Sequence, residues 1–220
     1  MFYEPSAGNH GLPFDPFKSC VVPRPIGWIS TRSKQGQDNL APFSQFTNIS
    51  FDPPTVMFSS NQTTDGRRKD SVVNAEESGF FVWNMATWAL KDAVNISAEE
   101  LPHGIDEFER AGLAKIDAQL VPVSRVAAAP ISFECSYLQT LRLPGNGAMG
   151  TVDVVFGRVI GVHIVDEVLT PEGRIDVVRL RPIARMGYFD YTTVDSRFEM
   201  TIPGGSRLLV GLEGSAAKNV

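Results

Sequence analysis

The chain has 220 residues, a formal net charge of −5 and 43% hydrophobic residues. This length and apolar content are sufficient for one domain with a sizeable core. The negative net charge argues against a nucleic-acid binder, which needs a basic face. The apolar runs are much shorter than the roughly 20 residues that a helix needs to cross a bilayer.

Cysteine and histidine usage narrows the class of protein further. Only two cysteines occur, Cys20 and Cys135, and the N-terminal residues lack the basic and apolar regions of a signal peptide. Both features predict a cytoplasmic protein. His10, His103 and His163 are dispersed, without a Cys or carboxylate at metal-ligand spacing, so no metal site is predicted and a structural or surface role is favoured.

The first part of the chain predicts strands separated by polar turns. An irregular leader rich in Pro and Gly covers 1–20. A strand is predicted over 26–31, a second extended segment over 41–51 and a third strand over 55–60. Pro53 and Pro54 separate the last two segments.

A short helix is predicted next, over 70–79. Asp70 or Ser71 is expected at its N-terminus, and Gly79 stands just beyond its end. A strand over 80–86 follows, because aromatic and β-branched residues replace the helical pattern.

The remainder of the chain predicts two short helices and then a return to strands. The helices are placed at 87–97 and 106–112, and the strands at 131–143, 151–168 and 183–191. Strands at regular spacing without βαβ alternation predict an antiparallel barrel with helical insertions. The residues after the last strand, 192–220, are predicted to form a tail that docks locally and then frays.

The string 145-GNGAMG-150 matches the G-x-G-x-x-G fingerprint of dinucleotide-binding folds. That interpretation needs a helix after the glycines, so that the helix N-terminus faces the pyrophosphate. The segment that follows, 151-TVDVVFGRV-159, is β-branched and alternating, which predicts a strand. We therefore interpret the glycines as a β-hairpin loop.

Neutral polar side chains gather around the strands at 26–31 and 55–60. Such groups suit a flat heterocycle whose edge carries carbonyls and ring nitrogens, as isoalloxazine does. The candidates for its edge are Thr31, Asn39, Ser44, Asn48 and the backbone of 39–43, and the candidates for its faces are Trp28, Phe43 and Phe46. The alternative is that these hydroxyls and amides simply fill edge and turn positions of a barrel.

The stretch 59-SSNQTTDGRRKDS-71 joins two hydroxyls, three consecutive cations and a predicted helix N-terminus. These are the usual donors to a phosphate, although a solvated loop before a capped helix remains an alternative. Asp70 would repel a phosphate, so we expect it to cap the helix or to pair with Arg67 or Arg68.

The sequence shows no convincing acid, base or nucleophile for catalysis. There is no G-x-S-x-G elbow, and the pairs Glu76–Glu77 and Glu99–Glu100 are expected to be solvated. This absence fits chemistry carried by a cofactor. The third candidate segment is 185-RMGYFDY-191, near the end of the last predicted strand. We interpret it as closing a pocket or making a subunit contact, with a plain surface as the alternative.

The chain resembles the flavin reductase-like, FMN-binding split-barrel family, and within it the flavoprotein oxygenase or nitrilotriacetate monooxygenase reductase component branch. The motifs that carry the resemblance are PRPIGWIST (23–31), DNLAPFSQFTNISFDPPTVMFSSN (38–61), RRKDSVVNAEESGFFVWNM (67–85), IDEFERAGL (105–113) and PIARMGYFDY (182–191). Relatives usually have Lys-Asp-Thr where this chain has Lys69-Asp70-Ser71, and Ser keeps the hydroxyl.

The resemblance implies a mainly β fold, a six-stranded antiparallel split β-barrel with Greek-key topology and short helical insertions. It implies one domain over 1–220, with the barrel core at 20–195 and peripheral segments at 1–19 and 196–220. It also implies a homodimer with FMN in a groove near the subunit interface.

The site residues follow from the same resemblance. The isoalloxazine and ribityl chain are expected to lie beside Thr31, Asn39, Ala41, Ser44 and Asn48. The phosphate is expected to be held by Ser59, Ser60, Lys69 and Ser71, with Arg68 nearby. Arg185 and Tyr188 are expected to reach the pocket from the last strand.

The function implied is an FMN-dependent oxidoreductase that takes a hydride from NADH or NADPH, with FAD as a possible replacement for FMN. Electrons would pass from the flavin to oxygen, a metal chelate or a partner oxygenase. The alternatives are a flavin carrier or redox sensor without reductase activity, a binding module without cofactor, and a relative that oxidises a vitamin B6 phosphate.

Overall fold

The computed structural model describes residues 1–200, which form twelve strands and four α-helices. The strands are β1 (Arg24–Pro25), β2 (Gly27–Arg32), β3 (Asp38–Phe43), β4 (Phe46–Phe51), β5 (Pro54–Asn61), β6 (Phe80–Asn84), β7 (Lys115–Asp117), β8 (Ser124–Val126), β9 (Ile131–Leu143), β10 (Val152–Ile164), β11 (Ile183–Gly187) and β12 (Asp190–Thr193). The helices are α1 (Asp70–Ser78), α2 (Lys91–Ile96), α3 (Glu107–Arg110) and α4 (Val177–Leu180).

Seven strands form the principal antiparallel sheet, in the order β3-β2-β6-β9-β10-β5-β4. Its two outer strands, β3 and β4, are joined in the chain by Ser44 and Gln45 alone. The Cα atoms of Phe43 and Phe46 therefore lie no more than about 11 Å apart. The sheet must curl until its ends meet, but β3 and β4 are not paired with each other. This is the predicted split barrel, with seven strands in its principal sheet rather than six.

Aromatic side chains fill the barrel. Phe58 and Phe81 are fully buried and pack edge to face with ring centroids 5.4 Å apart, and Phe46 stacks on Trp83 at 5.3 Å. Gly157 on β10 completes this packing, because a Cβ there would lie 2.3 Å from the Phe81 ring. A second apolar cluster lies outside the barrel, where Trp28, Leu40 and Phe108 are buried with residues of α2.

Several elements confirm the sequence predictions. α1 ends at Ser78 and Gly79 follows with a left-handed φ of 80°, as a C-terminal glycine should. β9 and β10 pair in antiparallel register, with Leu143 opposite Val152. The glycine-rich string 145–150 connects them, so its interpretation as a hairpin loop is confirmed.

Other elements differ from prediction. The extended segment 41–51 belongs to two strands, because the chain turns at Ser44–Gln45 to pass from one end of the sheet to the other. The segment 183–191 is a hairpin: β11 and β12 pair with each other, and Tyr188 between them has a φ of 46°. β7, β8 and α4 are too short for a periodic signal. β12 ends at Thr193, within the expected tail of 192–220, and residues 201–220 of that tail lie outside the described residues.

Two further points concern membrane-spanning helices and the division of the chain into a core and peripheral segments. None of the helices within residues 1–200 is long and apolar enough to cross a membrane. The division into a barrel core at 20–195 with peripheral segments remains a prediction.

Candidate functional site

A polar cleft opens at the N-terminus of α1, beside strand β3. One wall is built from β3, the loop before α1 and the first residues of the helix, namely Asn39, Ala41, Pro42, Thr63, Arg67, Arg68, Lys69, Asp70 and Ser71. The facing wall comes from the segment after α2 and the start of α3, namely Ser97, Ala98, Glu99, Glu100, Leu101, His103 and Glu107. Of the predicted site residues, the cleft therefore unites Asn39, Ala41, Arg68, Lys69 and Ser71.

A buried hydrogen-bond network attaches α1 to the barrel along one wall of this cleft. The Asn39 side-chain amide donates to Ser71 Oγ at 2.9 Å and to Thr31 Oγ1 at 3.3 Å. The Asn74 amide donates to the same Thr31 oxygen at 3.2 Å. Thr31 is fully buried and Ser71 is 1% exposed. Thr31 therefore supports the wall from behind, while Asn39 and Ser71 form the wall itself.

Lys69 occupies the position just before the first turn of α1. Its backbone is extended, and its carbonyl accepts from the N–H groups of Val72 and Val73 at 3.0 and 3.2 Å. The half-buried Lys69 side chain makes no ion pair within residues 1–200. A free ammonium beside a helix N-terminus is well suited to an anion, because the first N–H groups lack partners in the helix.

Asp70 does not act as predicted. It neither caps α1 nor pairs with Arg67 or Arg68; instead its Oδ1 lies 2.9 Å from Nδ1 of His103 across the cleft. Arg67 pairs instead with Asp65 at 2.7 Å, within its own loop. The Asp70–His103 contact joins the two walls.

Arg68 is held by carboxylates. Its Nε donates to Asp153 at 2.9 Å, and its two terminal nitrogens donate to Glu76 at 2.7 and 2.5 Å. Glu76 was expected to be solvated, but it is partly buried because its helix face turns toward Arg68. The hydrogen bonds from Arg68 lower the pKa of Glu76, and burial only partly opposes them.

The two serines of β5 point to opposite sides of the sheet, as successive strand residues must. Ser60 lies opposite Asp153 of β10 and is 2% exposed, whereas Ser59 lies opposite Val154 and is partly exposed. Only Ser60 shares the face of Asp153, and neither serine lines the cleft. Their predicted roles at a phosphate remain predictions.

Four other predicted site residues lie outside this cleft, within the described part of one chain. Ser44 is in the β3–β4 turn, and Asn48 on β4 borders a separate apolar groove. Arg185 on β11 donates to the Tyr191 hydroxyl at 2.7 Å and to the carbonyl of Tyr188. Their contact with a cofactor remains a prediction.

The aromatic residues that were predicted to cover the faces of the isoalloxazine ring are mostly buried in the protein core. Trp28 is fully buried, and its indole N–H donates to Ser97 Oγ at 2.9 Å. It cannot face a ligand, because the second apolar cluster encloses it. Phe43 and Phe46 are 7% and 8% exposed and pack inside the barrel.

The sequence analysis did not identify the facing wall, 97–107. Glu107 is buried there and its Oε2 accepts from the backbone N–H of Leu40 at 2.9 Å. Burial raises the pKa of Glu107, partly opposed by that hydrogen bond. No motif or spacing relates this segment to 67–71, and only the packing of α3 against β3 brings them together.

The open, antiparallel barrel defines this chain as a split-barrel protein. The sequence profile of the flavin reductase-like domain matches residues 19–188. The chain belongs to the flavin reductase-like domain family, and that membership supports a flavin-binding reductase in general terms.

Similar proteins cover most of the chain. An uncharacterized protein of Halalkalibacterium halodurans is 33% identical over 184 residues, which span 84% of this chain and 88% of the relative. The crystal structure of nitrilotriacetate monooxygenase component B from Bacillus cereus has a TM-score of 0.81 and 30% identity, covering 91% of this chain and 98% of that one. The 2-nitrobenzoate 2-nitroreductase NbaA of Pseudomonas fluorescens shares the fold, with a TM-score of 0.79, 23% identity and coverage of 93% and 97%.

Proposed function

We propose that the protein is an FMN-binding oxidoreductase of the NAD(P)H:flavin reductase type. The observation that carries this proposal is the Lys69 ammonium at the N-terminus of α1, which makes no ion pair within residues 1–200. It lies in the polar cleft of a chain that belongs to the flavin reductase-like family. FMN differs from riboflavin by one phosphate, and a lysine beside a helix N-terminus is a common phosphate site.

The residues present fit such a cofactor. Lys69 and the first N–H groups of α1 would hold the phosphate, with the Ser71 hydroxyl in the wall behind them. Asn39 and Ala41 lie along the same wall and would border the ribityl chain or the ring. Bound flavin supplies the redox chemistry, by accepting a hydride from NADH or NADPH.

The contribution of the protein is to bind and orient. The cleft offers neutral amide and hydroxyl groups on a rigid wall, since Thr31, Asn39 and Ser71 hold one another in place. Backbone N–H groups and hydroxyls near the flavin edge would stabilise negative charge on the reduced ring without reorganisation.

Further features complete the proposal. The protein would act as a cytoplasmic homodimer, with Ser44, Asn48, Arg185 and Tyr188 reaching the flavin near the subunit interface. Its acceptor would be oxygen, a metal chelate or a partner oxygenase. The last option draws support from the similarity to a protein named as a monooxygenase component.

An anaerobic titration tests the proposal. Purified protein is titrated first with FMN, then with NADH and with NADPH, while the visible flavin absorbance is followed. Binding followed by bleaching is the expected result, and it also names the electron donor. Binding without bleaching would indicate a flavin carrier or sensor, and no binding would overturn the flavin assignment.

A further inference from the structure

All three nitrogens of the Arg68 guanidinium donate to carboxylates of the protein. Its Nε donates to Asp153 Oδ2 at 2.9 Å, while Nη1 and Nη2 form a paired contact with both oxygens of Glu76 at 2.7 and 2.5 Å. Such two-point contacts are among the stronger side-chain interactions. These contacts use three of the five N–H groups of the guanidinium and hold it against the two carboxylates.

Asp153 is the buried centre of the arrangement. It is 2% exposed and also accepts from Arg142 Nε at 2.8 Å. Burial disfavours its ionised form, but the hydrogen bonds and charges of Arg142 and Arg68 outweigh this effect and lower its pKa. The network has four charged side chains, two positive and two negative, namely Arg68, Arg142, Asp153 and Glu76. The charge of Arg68 is thus balanced locally, whereas Lys69 makes no ion pair within residues 1–200.

The contacts tie the start of α1 to the sheet. Arg68 immediately precedes Lys69, and Glu76 lies further along the same helix. Asp153 stands on β10 directly opposite Ser60 of β5. The network therefore fixes the loop before the helix, the helix itself and the strand pair relative to one another.

We propose that Glu76, Arg68 and Asp153 are positioning residues that fix the anion-binding end of α1, and that they thereby select phosphorylated flavin over riboflavin. This inference rests on the proposed binding of FMN. It replaces the expectation that Arg68 contacts the phosphate, and it assigns the direct contact to Lys69 and the helix N-terminus.

The two roles for Arg68 predict opposite effects of Glu76→Gln. If Arg68 positions the helix, losing the charged contact lets the N-terminus move, and FMN binds more weakly. If Arg68 is a direct phosphate ligand, removing its competing carboxylate frees it, and FMN binds as well as before or better. Riboflavin lacks the phosphate and reports any general damage to the flavin site.

The experiment measures dissociation constants of FMN and riboflavin for the wild type, Glu76→Gln and Arg68→Lys. We expect both variants to bind FMN about three- to tenfold more weakly, with riboflavin affinity unchanged. Lys at position 68 keeps the charge but cannot bridge Glu76 and Asp153 with the same geometry. Glu77→Gln is the matched control, because Glu77 is the neighbouring exposed residue and lies 3.9 Å from Lys34.

Every outcome decides between the alternatives. A selective loss of FMN affinity in both variants, with Glu77→Gln unchanged and similar thermal unfolding, supports the positioning role. Unchanged or tighter FMN binding in Glu76→Gln overturns it, as does an equal loss of FMN and riboflavin. If the wild type binds neither flavin, the proposed function itself fails. The measurement on the wild type therefore distinguishes that failure from a failure of the positioning role.

Discussion

Nε2 of His163 lies 2.5 Å from Oε1 of Glu134, between the neighbouring strands β10 and β9. Glu134 is fully buried, and its carboxylate also accepts from three successive backbone N–H groups, those of Gln119, Leu120 and Val121, at 2.7–3.1 Å. Burial disfavours the ionised form, but these hydrogen bonds and His163 outweigh it, so the pKa of Glu134 is lowered. His163 thus has a structural role, as the sequence analysis favoured.

Glu134→Gln is expected to destabilise the fold by about 1–3 kcal/mol, since the amide has one accepting oxygen where the carboxylate uses two oxygens to accept from three backbone N–H groups. The free energy of unfolding in urea at neutral pH measures the effect. Glu167→Gln, at an exposed turn residue, is the matched control and should change stability little. Equal stability of the two variants would contradict the structural role of Glu134.

Asp38 predicts a dependence of stability on pH. Its carboxylate contacts Arg32 at 2.7 Å and Lys115 at 2.9 Å. Burial acts to raise its pKa, but those hydrogen bonds and charges outweigh burial and lower the pKa from the ordinary 3.8. A lowered pKa gives stability that is complete above the unfolded-state value and is lost as the pH falls through the folded-state value.

Asp38→Asn should therefore be less stable than the wild type at neutral pH, and the difference should shrink well below pH 3.8. Urea unfolding of both proteins across this range measures the difference. A difference that stays constant with pH would show that the ion pairs are not its source.

Lys69→Ala tests the anion site directly. We expect FMN affinity to fall by about 1–3 kcal/mol, as for the loss of a charged hydrogen bond, with riboflavin affinity unchanged. Lys34→Ala is the control, because Lys34 is exposed and lies 3.9 Å from its nearest carboxylate, Glu77. Unchanged FMN affinity in a folded Lys69→Ala protein would rule out this placement of the phosphate.

Gly157→Ala tests the packing of the barrel. The added methyl group would lie 2.3 Å from two ring carbons of the buried Phe81, so we expect a loss of about 1–3 kcal/mol in unfolding free energy. Gly147→Ala is the matched control, since a Cβ there meets nothing within 4 Å and its φ of −176° suits any residue. Thermal unfolding compares the two, and similar melting temperatures would contradict the tight fit at 157.

The sequence determined the local elements well, because their signals are local. Alternation of apolar residues placed β9 at 131–143 without error, and Gly79 marked the end of α1. The chemistry of 67–71 also follows from adjacency: three cations before a helix start must lie near its N-terminus. These features depend on backbone geometry over a few residues, which side-chain type controls directly.

The tertiary structure alone decided which of these groups face one another. Arg68 meets Asp153 across 85 positions of sequence, and Asp70 meets His103 on a wall that no motif indicated. The curl of the sheet and its strand register set these distances. A shift of one residue on β5 would turn Ser59 and Ser60 to the opposite faces of the sheet. Each serine would then meet different neighbours. Register and curl are fixed by packing of the whole barrel, so the partners of each site residue emerge only from the folded chain.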